Sequence, residues 1–282
     1  MKIKYLYVVL LLVSMFFSSF AQEEIKTPKK YTETNKGKFF ISWGGNRESF
    51  SESDITFRGD DYHFTLYDVV AHDKPKGYHI DYVNPSRMTI PQTNFRMGYF
   101  INNHYSIAIA LDHMKYVMYQ DREVAINGYY PNPGSYGEEA LPDDKILLTE
   151  DFLTFEHTDG LNYINTEFSR YDDISSLFKI NNTDKIQINL TEGISGGVLY
   201  PKTNAKLLVK ERHDDFHVSG FGAAIKAGLN ITFLKHFYVQ AELKTGYINM
   251  QDIRTTKSSS DKASQDFFFF QRIIQLGGIF RL

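Results

Sequence analysis

Gly193, Ser195 and Gly197 carry the spacing of a hydrolase nucleophile elbow, which would make Ser195 an attacking hydroxyl. That motif works because a sharp strand-to-helix turn in an α/β sheet lifts the serine into reach of its substrate. No such context surrounds Ser195, so the spacing is read as coincidence at a glycine-rich strand end. A serine, histidine and carboxylate set could also be gathered by geometry rather than chain order, with His113 beside Asp112 or His72 beside Asp73 as candidates. Neighbouring residues on a strand point to opposite faces, so Asp112 cannot orient His113 from within one strand. No catalytic residue is assigned. His213 and His217, flanking Asp214 and Asp215, can share a face but lack a third ligand, so no metal site and no cofactor is assigned. Arg58, Gly59 and Asp60 spell an integrin-type tripeptide too short to carry an adhesive reading.

The charges that remain sit in alternating runs. From Gln271 to Leu282, Ile274, Leu276, Gly278, Phe280 and Leu282 share one face, with Gln271, Gln275 and Arg281 on the other. Phe237, Val239, Ala241, Leu243 and Tyr247 alternate with Gln240, Glu242 and Lys244, and Ile225 to Phe233 alternate with Lys226, Gly228, Asn230 and Thr232. Further runs are Lys38 to Asn46, Phe95 to Ile101 with inward Arg96, Ile107 to Leu111 leading to inward Asp112, Asn162 to Tyr171 with Glu167, and Ile186 to Ile194. Eight strands with one apolar face are the pattern of a membrane-spanning barrel, because only a closed sheet pairs every backbone group within lipid. The lumen is then expected to gather Arg96, Asp112, Glu167, Lys226, Glu242, Lys244 and Arg281. An eight-stranded barrel has an interior that side chains just fill, so these charges read first as a structural plug and second as a gated polar path or binding site.

Short turns at 102–104, 181–184 and 234–236 alternate with long segments at 47–92, 121–160, 201–220 and 251–266. In outer-membrane barrels the short turns face the periplasm and the long loops the exterior. Within the first long segment, Tyr62 to Val70 is rich in β-formers and is expected to extend the barrel or fold over its mouth. Asp68, His72 and Asp73 form a candidate loop patch there, since loops on a rigid scaffold carry function. Glu192 breaks the alternation by facing lipid; a bulge at Gly193 or a place at the membrane rim would accommodate it.

The ends of the chain and its composition agree with export. Lys2 and Lys4, an apolar core from Leu6 to Phe17, and small Ser19 and Ala21 read as a signal peptide over residues 1–21, cleaved after Ala21, followed by a periplasmic segment at 22–37 and the barrel at 38–282. Cysteine is absent, so neither a disulfide framework nor a lipidated cysteine is available. The formal charge is -3, or about -5 without the two leader lysines, which suggests no nucleic-acid partner. Nineteen Tyr and 23 Phe against one Trp suit aromatic girdles at a membrane interface.

With the terminal Phe280-Arg281-Leu282, this pattern resembles the OmpA/OmpW-type small outer-membrane barrels. Phe40-Ile41-Ser42-Trp43-Gly44, Ser53-Asp54-Ile55, Asp68-Val69-Val70-Ala71-His72-Asp73 and Asp112-His113-Met114-Lys115-Tyr116-Val117-Met118 are similar to a group of exported bacterial barrel proteins. The resemblance implies a fold and a location rather than a reaction. The OmpW type is associated with small hydrophobic solutes and the OmpA type with a closed barrel, and the charged lumen leans toward the latter. The expected fold is therefore all-β: an eight-stranded antiparallel up-and-down transmembrane barrel with long extracellular loops. It is expected to be non-enzymatic, to act in envelope structure, surface interaction or limited small-solute passage, and to have outer-membrane lipids and a small solute or extracellular ligand as partners. A lipid-modifying hydrolase on the barrel wall and a secreted soluble binding barrel are the two rivals. The soluble rival would reverse the two faces.

Overall fold

The computed structural model describes residues 30–77, 79–83, 91–137, 144–210 and 212–281; the leader and most of the segment expected at 22–37 lie outside them. In chain order the strands are β1 (Phe39–Phe50), β2 (Ser53–Arg58), β3 (His63–Val69), β4 (Ala71–His72), β5 (Thr93–Phe100), β6 (Tyr105–Met114), β7 (Val117–Met118) and β8 (Glu123–Tyr129). There follow β9 (Lys145–Leu147), β10 (Leu153–Glu156), β11 (Leu161–Asp173), β12 (Ile186–Leu199), β13 (Asn204–Leu207), β14 (Gly220–Phe233), β15 (Phe237–Arg254) and β16 (Lys262–Phe280).

Eight of these form a ring in the order β1-β5-β6-β11-β12-β14-β15-β16, every pair antiparallel. The last strand returns to the first, from Phe39 opposite Phe280 to Phe50 opposite Phe269, and closes it. Alternation turns Met97, Ile109, Ile194, Ile225, Leu243, Ile274 and Leu276 outward, each more than half exposed. A soluble binding barrel would bury that face. An apolar surface circling a closed sheet is stable only against lipid.

Ring pairs mark the two ends of the outward band: Phe39 with Tyr99 and Tyr105 stacked on Phe168 at the short-turn end, Tyr247 with Phe268 at the other. From Phe237 to Tyr247 is ten residues, which at the usual rise and tilt of such strands spans about 26 Å, the height of the apolar band of an outer-membrane barrel.

The long segments are structured beyond what alternation suggested. β2, β3, β8 and β9 continue the sheet from the start of β16, and β13-β10-β7-β4 form a second sheet. Ile55, Phe57, Phe64, Leu66, Tyr116, Phe155, Leu207, Ile248 and Phe267 pack between these elements as one apolar core. The β-rich stretch from Tyr62 to Val70 thus supplies β3, and its Phe64 stacks on Phe57 with ring centroids 5.2 Å apart. Together these elements form a cap on the long-loop end of the barrel.

At Glu192 the register runs through Gly193 without a shift, so no bulge rescues the carboxylate. Glu192 stands opposite Arg170, which in turn faces Tyr105 at the short-turn end of β6. Its place at the rim, 4.0 Å from Arg170, is what accommodates it.

Candidate functional site

The inward face of the barrel is layered, and the register fixes the order of the layers. Nearest the short turns, Phe40, Phe100, Tyr171 and Tyr238 form an aromatic layer, with Phe100 and Tyr171 edge to face at 4.9 Å. Inward glycines make room for two of these rings. A Cβ at Gly98 would collide with Phe40, and one at Gly277 with Tyr238. The space left in this layer, bounded by Lys38, Phe40 and Tyr238 among others, is about 10 Å³, roughly one water.

Two strand positions further along, the sheet brings together six charges from five strands. Glu167 on β11 is the hub: its carboxylate lies 2.8 Å from Arg96 Nε on β5, 2.5 Å from Lys226 Nζ on β14 and 3.0 Å from Lys244 Nζ on β15. Glu242 takes Arg96 Nη2 at 2.6 Å and Lys226 Nζ at 3.3 Å, and Lys244 Nζ reaches Asp112 at 2.5 Å. Three cations face three carboxylates, and all six are buried. Neutral partners occupy further bonding sites: Gln275 binds Arg96, Gln240 donates to Glu242 at 2.9 Å, and Asn94 and Asn165 donate to Asp112. Buried charge is tolerated in this state, paired and hydrogen-bonded at once.

Of the seven lumen charges expected from the alternation, Arg281 is not in the network. It is exposed at the short-turn end, and its guanidinium donates to Thr34 O and Thr34 Oγ1. The alternation assigned it correctly to the inward side of β16, but the strand ends at Phe280, so the side chain emerges below the aromatic layer. There burial, with the Arg281 charge adding to it, lowers the Lys38 ammonium to about 8.

The loop patch is dispersed. Asp68 is exposed with a left-handed backbone (φ 53°), and its amide binds Asp54. His72 packs its ring 4.6 Å from Tyr119. Asp73 turns into the barrel mouth, where it meets Gln92 and the Glu48 amide. Glu48, Asn94 and Gln92 are inward polar residues that the sequence reading left out. Continuing the alternation Phe40, Ser42, Asn46 by one more step past Asn46 would have found Glu48.

No hydrolytic constellation assembles on the candidate residues. Ser195 Oγ has the Tyr163 hydroxyl 3.5 Å away, Asp112 is held by Lys244, and His113 Nδ1 pairs with Asn162 at 2.7 Å. His217 bonds Asp252 at 2.7 Å, with Ser219 donating to the His217 carbonyl rather than lying on its ring. In the cap, His157 is wholly buried, with Nδ1 3.0 Å from Thr203 Oγ1, and burial lowers its imidazole to about 3. Among the described residues no cluster of three or more His, Cys, Asp or Glu side chains is placed to hold a metal.

A closed eight-stranded ring with an apolar outside and a charged inside defines the chain as a transmembrane β-barrel. Among solved structures it is similar to Ail, the attachment invasion locus protein of Yersinia pestis, at 11% identity over 87% of this chain and 99% of that one, with a TM-score of 0.31. It is likewise similar to the outer membrane protein OprG of Pseudomonas aeruginosa (10%, 89% and 99%, TM-score 0.37) and to Neisserial surface protein A (9%, 86% and 97%, TM-score 0.34). No protein-family model and no curated protein matches the chain. The barrel assignment rests on the strand pairing itself.

Proposed function

We propose that the protein is an integral outer-membrane barrel whose lumen is closed by its own side chains and whose work is done by the external cap, in envelope structure or surface interaction. The observation that carries this is the neutral layer of three cations and three carboxylates lying directly over an aromatic layer with room for about one water. A conducting pore needs a continuous hydrated path, and side chains filling the aromatic layer beneath paired charges speak against one. The extra strands give the cap a rigid apolar core of its own, as a presented surface requires.

Outer-membrane lipids are its first partners. Arg47 and Arg272 are register partners on β1 and β16 with outward side chains. A guanidinium on that face reaches for anionic headgroups along the wall. The reading is non-enzymatic.

The test is a planar-bilayer recording on detergent-purified protein. The expected result is a quiet membrane. Stable, discrete conductance steps that vanish in an Arg96→Ala variant would overturn the closed lumen in favour of solute passage.

A further inference from the structure

A second polar layer lies between the ion-paired layer and the cap, and the closed-barrel reading makes no use of it. Glu48 and Gln271 stand opposite each other in the β1–β16 register, and Gln271 Nε2 donates to Glu48 Oε1 at 3.0 Å. The Gln92 amide nitrogen contacts both Glu48 and Asp73, and the Glu48 backbone amide donates to Asp73 Oδ2 at 3.1 Å. Glu48 is 4% exposed and the two glutamines are 0% exposed.

This layer is not neutral. No ion pair joins Glu48 or Asp73 to a lysine or arginine among the described residues, although Lys115 and Asp73 feel each other's charge. Two carboxylates, Glu48 buried and Asp73 half-buried, are thus gathered without a contacting countercharge, whereas buried charges are ordinarily paired or bound to metal. The oxygens around them are also unused. Gln92 Oε1, Gln271 Oε1 and Asn46 Oδ1 are buried without a hydrogen-bond partner. Each glutamine already holds its amide against Glu48, so its oxygen lies one amide width from the carboxylates. Turning the amide about its last bond exchanges nitrogen for oxygen at little steric cost.

We propose that Glu48, Asp73, Gln92 and Gln271 form a Ca²⁺ site at the barrel mouth. Two carboxylates and two amide oxygens are hard donors, and their double negative charge matches the ion. With Asn46 or water completing the shell, they suit the irregular, oxygen-rich coordination of calcium better than the strict octahedron of magnesium. Glu48 and Gln271 belong to the barrel wall and Asp73 to the chain leaving β4, so the ion would clip the first long loop to the rim. His72 packs its ring on Tyr119 and offers a nitrogen, not the oxygen donors that calcium takes, so it stands outside the donor set.

The experiment uses the full chain folded in detergent free of lipopolysaccharide, with Ca²⁺ as the only probe, at about 1 mM, where extracellular calcium modules bind. Calorimetric titration is expected to show one saturable site. Thermal unfolding should rise in Ca²⁺ relative to EGTA, and EGTA should open the stretch after Asp73 to protease. Glu48→Gln and Asp73→Asn should each weaken Ca²⁺ binding by more than the roughly 10–100-fold that losing an outer-shell partner costs. In EGTA, Glu48→Gln should be at least as stable as the parent, because the repulsion is gone. If it fails to fold, Asp73→Asn, at a half-buried loop position, carries the test. No saturable binding, with identical unfolding in Ca²⁺ and EGTA, overturns the site and leaves the pair sharing a proton. A Ca²⁺ response undiminished in both variants overturns the residue assignment.

Discussion

On β15 the inward face changes character within a few residues. Glu242 and Lys244 are charged and ion-paired in the lumen, whereas Ile248 and Met250, buried on the same side in the cap, are apolar. The outward face changes the other way, from Ala241 and Leu243 to Asn249 and Gln251. The strand stays in phase across the change, since its pairing with β14 runs unbroken from Phe233–Phe237 to Gly220–Met250. What reverses is the solvent. Below the Tyr247–Phe268 pair, lipid takes the apolar side chains and most charged ones turn inward, with Arg47 and Arg272 among the outward exceptions. Above it, water takes the polar ones and an ordinary hydrophobic core becomes the stable arrangement. The barrel lumen and the cap core are built on continuous strands under opposite rules, and they should fail differently.

The largest difference is expected at the hub. Glu167→Ala leaves Arg96, Lys226 and Lys244 with two carboxylates among them, all buried, and breaking a buried pair in this way costs about 3–5 kcal/mol. Urea unfolding in detergent should show the whole barrel destabilised. An unchanged midpoint would mean that water fills the lumen and screens the charges. The double variant Asp112→Leu/Lys244→Met should lose less than the sum of its two single variants, because removing both partners leaves no orphaned charge.

The cap should respond locally. Leu207→Ala removes a fully buried side chain from its core, at a cost of about 2–5 kcal/mol set by how far the site collapses. Limited proteolysis should cut within the cap while the lipid-embedded barrel stays intact. If the barrel unfolds in step, the two regions are one cooperative unit and the comparison fails.

Acid should also separate them. With its imidazole lowered to about 3, His157 binds no proton in the folded cap at pH 5, while the unfolded chain, at 6.5, binds one. The stability this contributes is complete above pH 6.5 and is lost as pH falls toward 3. The steepest slope is about 1.4 kcal/mol per pH unit, or about 2 kcal/mol between pH 6.5 and 5. Protease sensitivity of the cap should rise over that window and flatten in His157→Asn. A parent cap as resistant at pH 5 as at pH 7.5 would refute this role for His157.

The same division governs what the sequence revealed. The spanning strands were legible because lipid imposes a strict period of two, and Arg96, Asp112, Glu167, Lys226, Glu242 and Lys244 followed from counting inward positions. Arg281 obeyed the period but lay past the last paired residue, where alternation no longer encloses a side chain. The cap was nearly illegible. β4 and β7 are two residues each and β9 three, too short to show a period, and their pairing joins segments far apart in the chain. Even so, Tyr62 to Val70 showed its β-forming composition. Glu48 and Gln92 were hidden for a different reason. The first lies beyond the point where β1 was expected to stop, and the second precedes β5, so only the closed ring brings them together.

The smallest expected effect isolates surroundings from bond length. Lys206 and Asp151 pair across the cap surface at 3.2 Å, close to the 3.0 Å of Lys244 and Glu167 in the lumen. Both cap side chains are largely exposed, at 41% and 77%, so solvent screens the pair and either partner can be rehydrated when the other is lost. Lys206→Ala should therefore cost roughly 0–1 kcal/mol in the same urea experiment that registers Glu167→Ala, and that difference should shrink further in high salt. Equal costs at the two sites would mean that the lumen pairs are as wet as the surface pair. In that case the closed lumen, and the opposition between lumen and cap, would both be wrong.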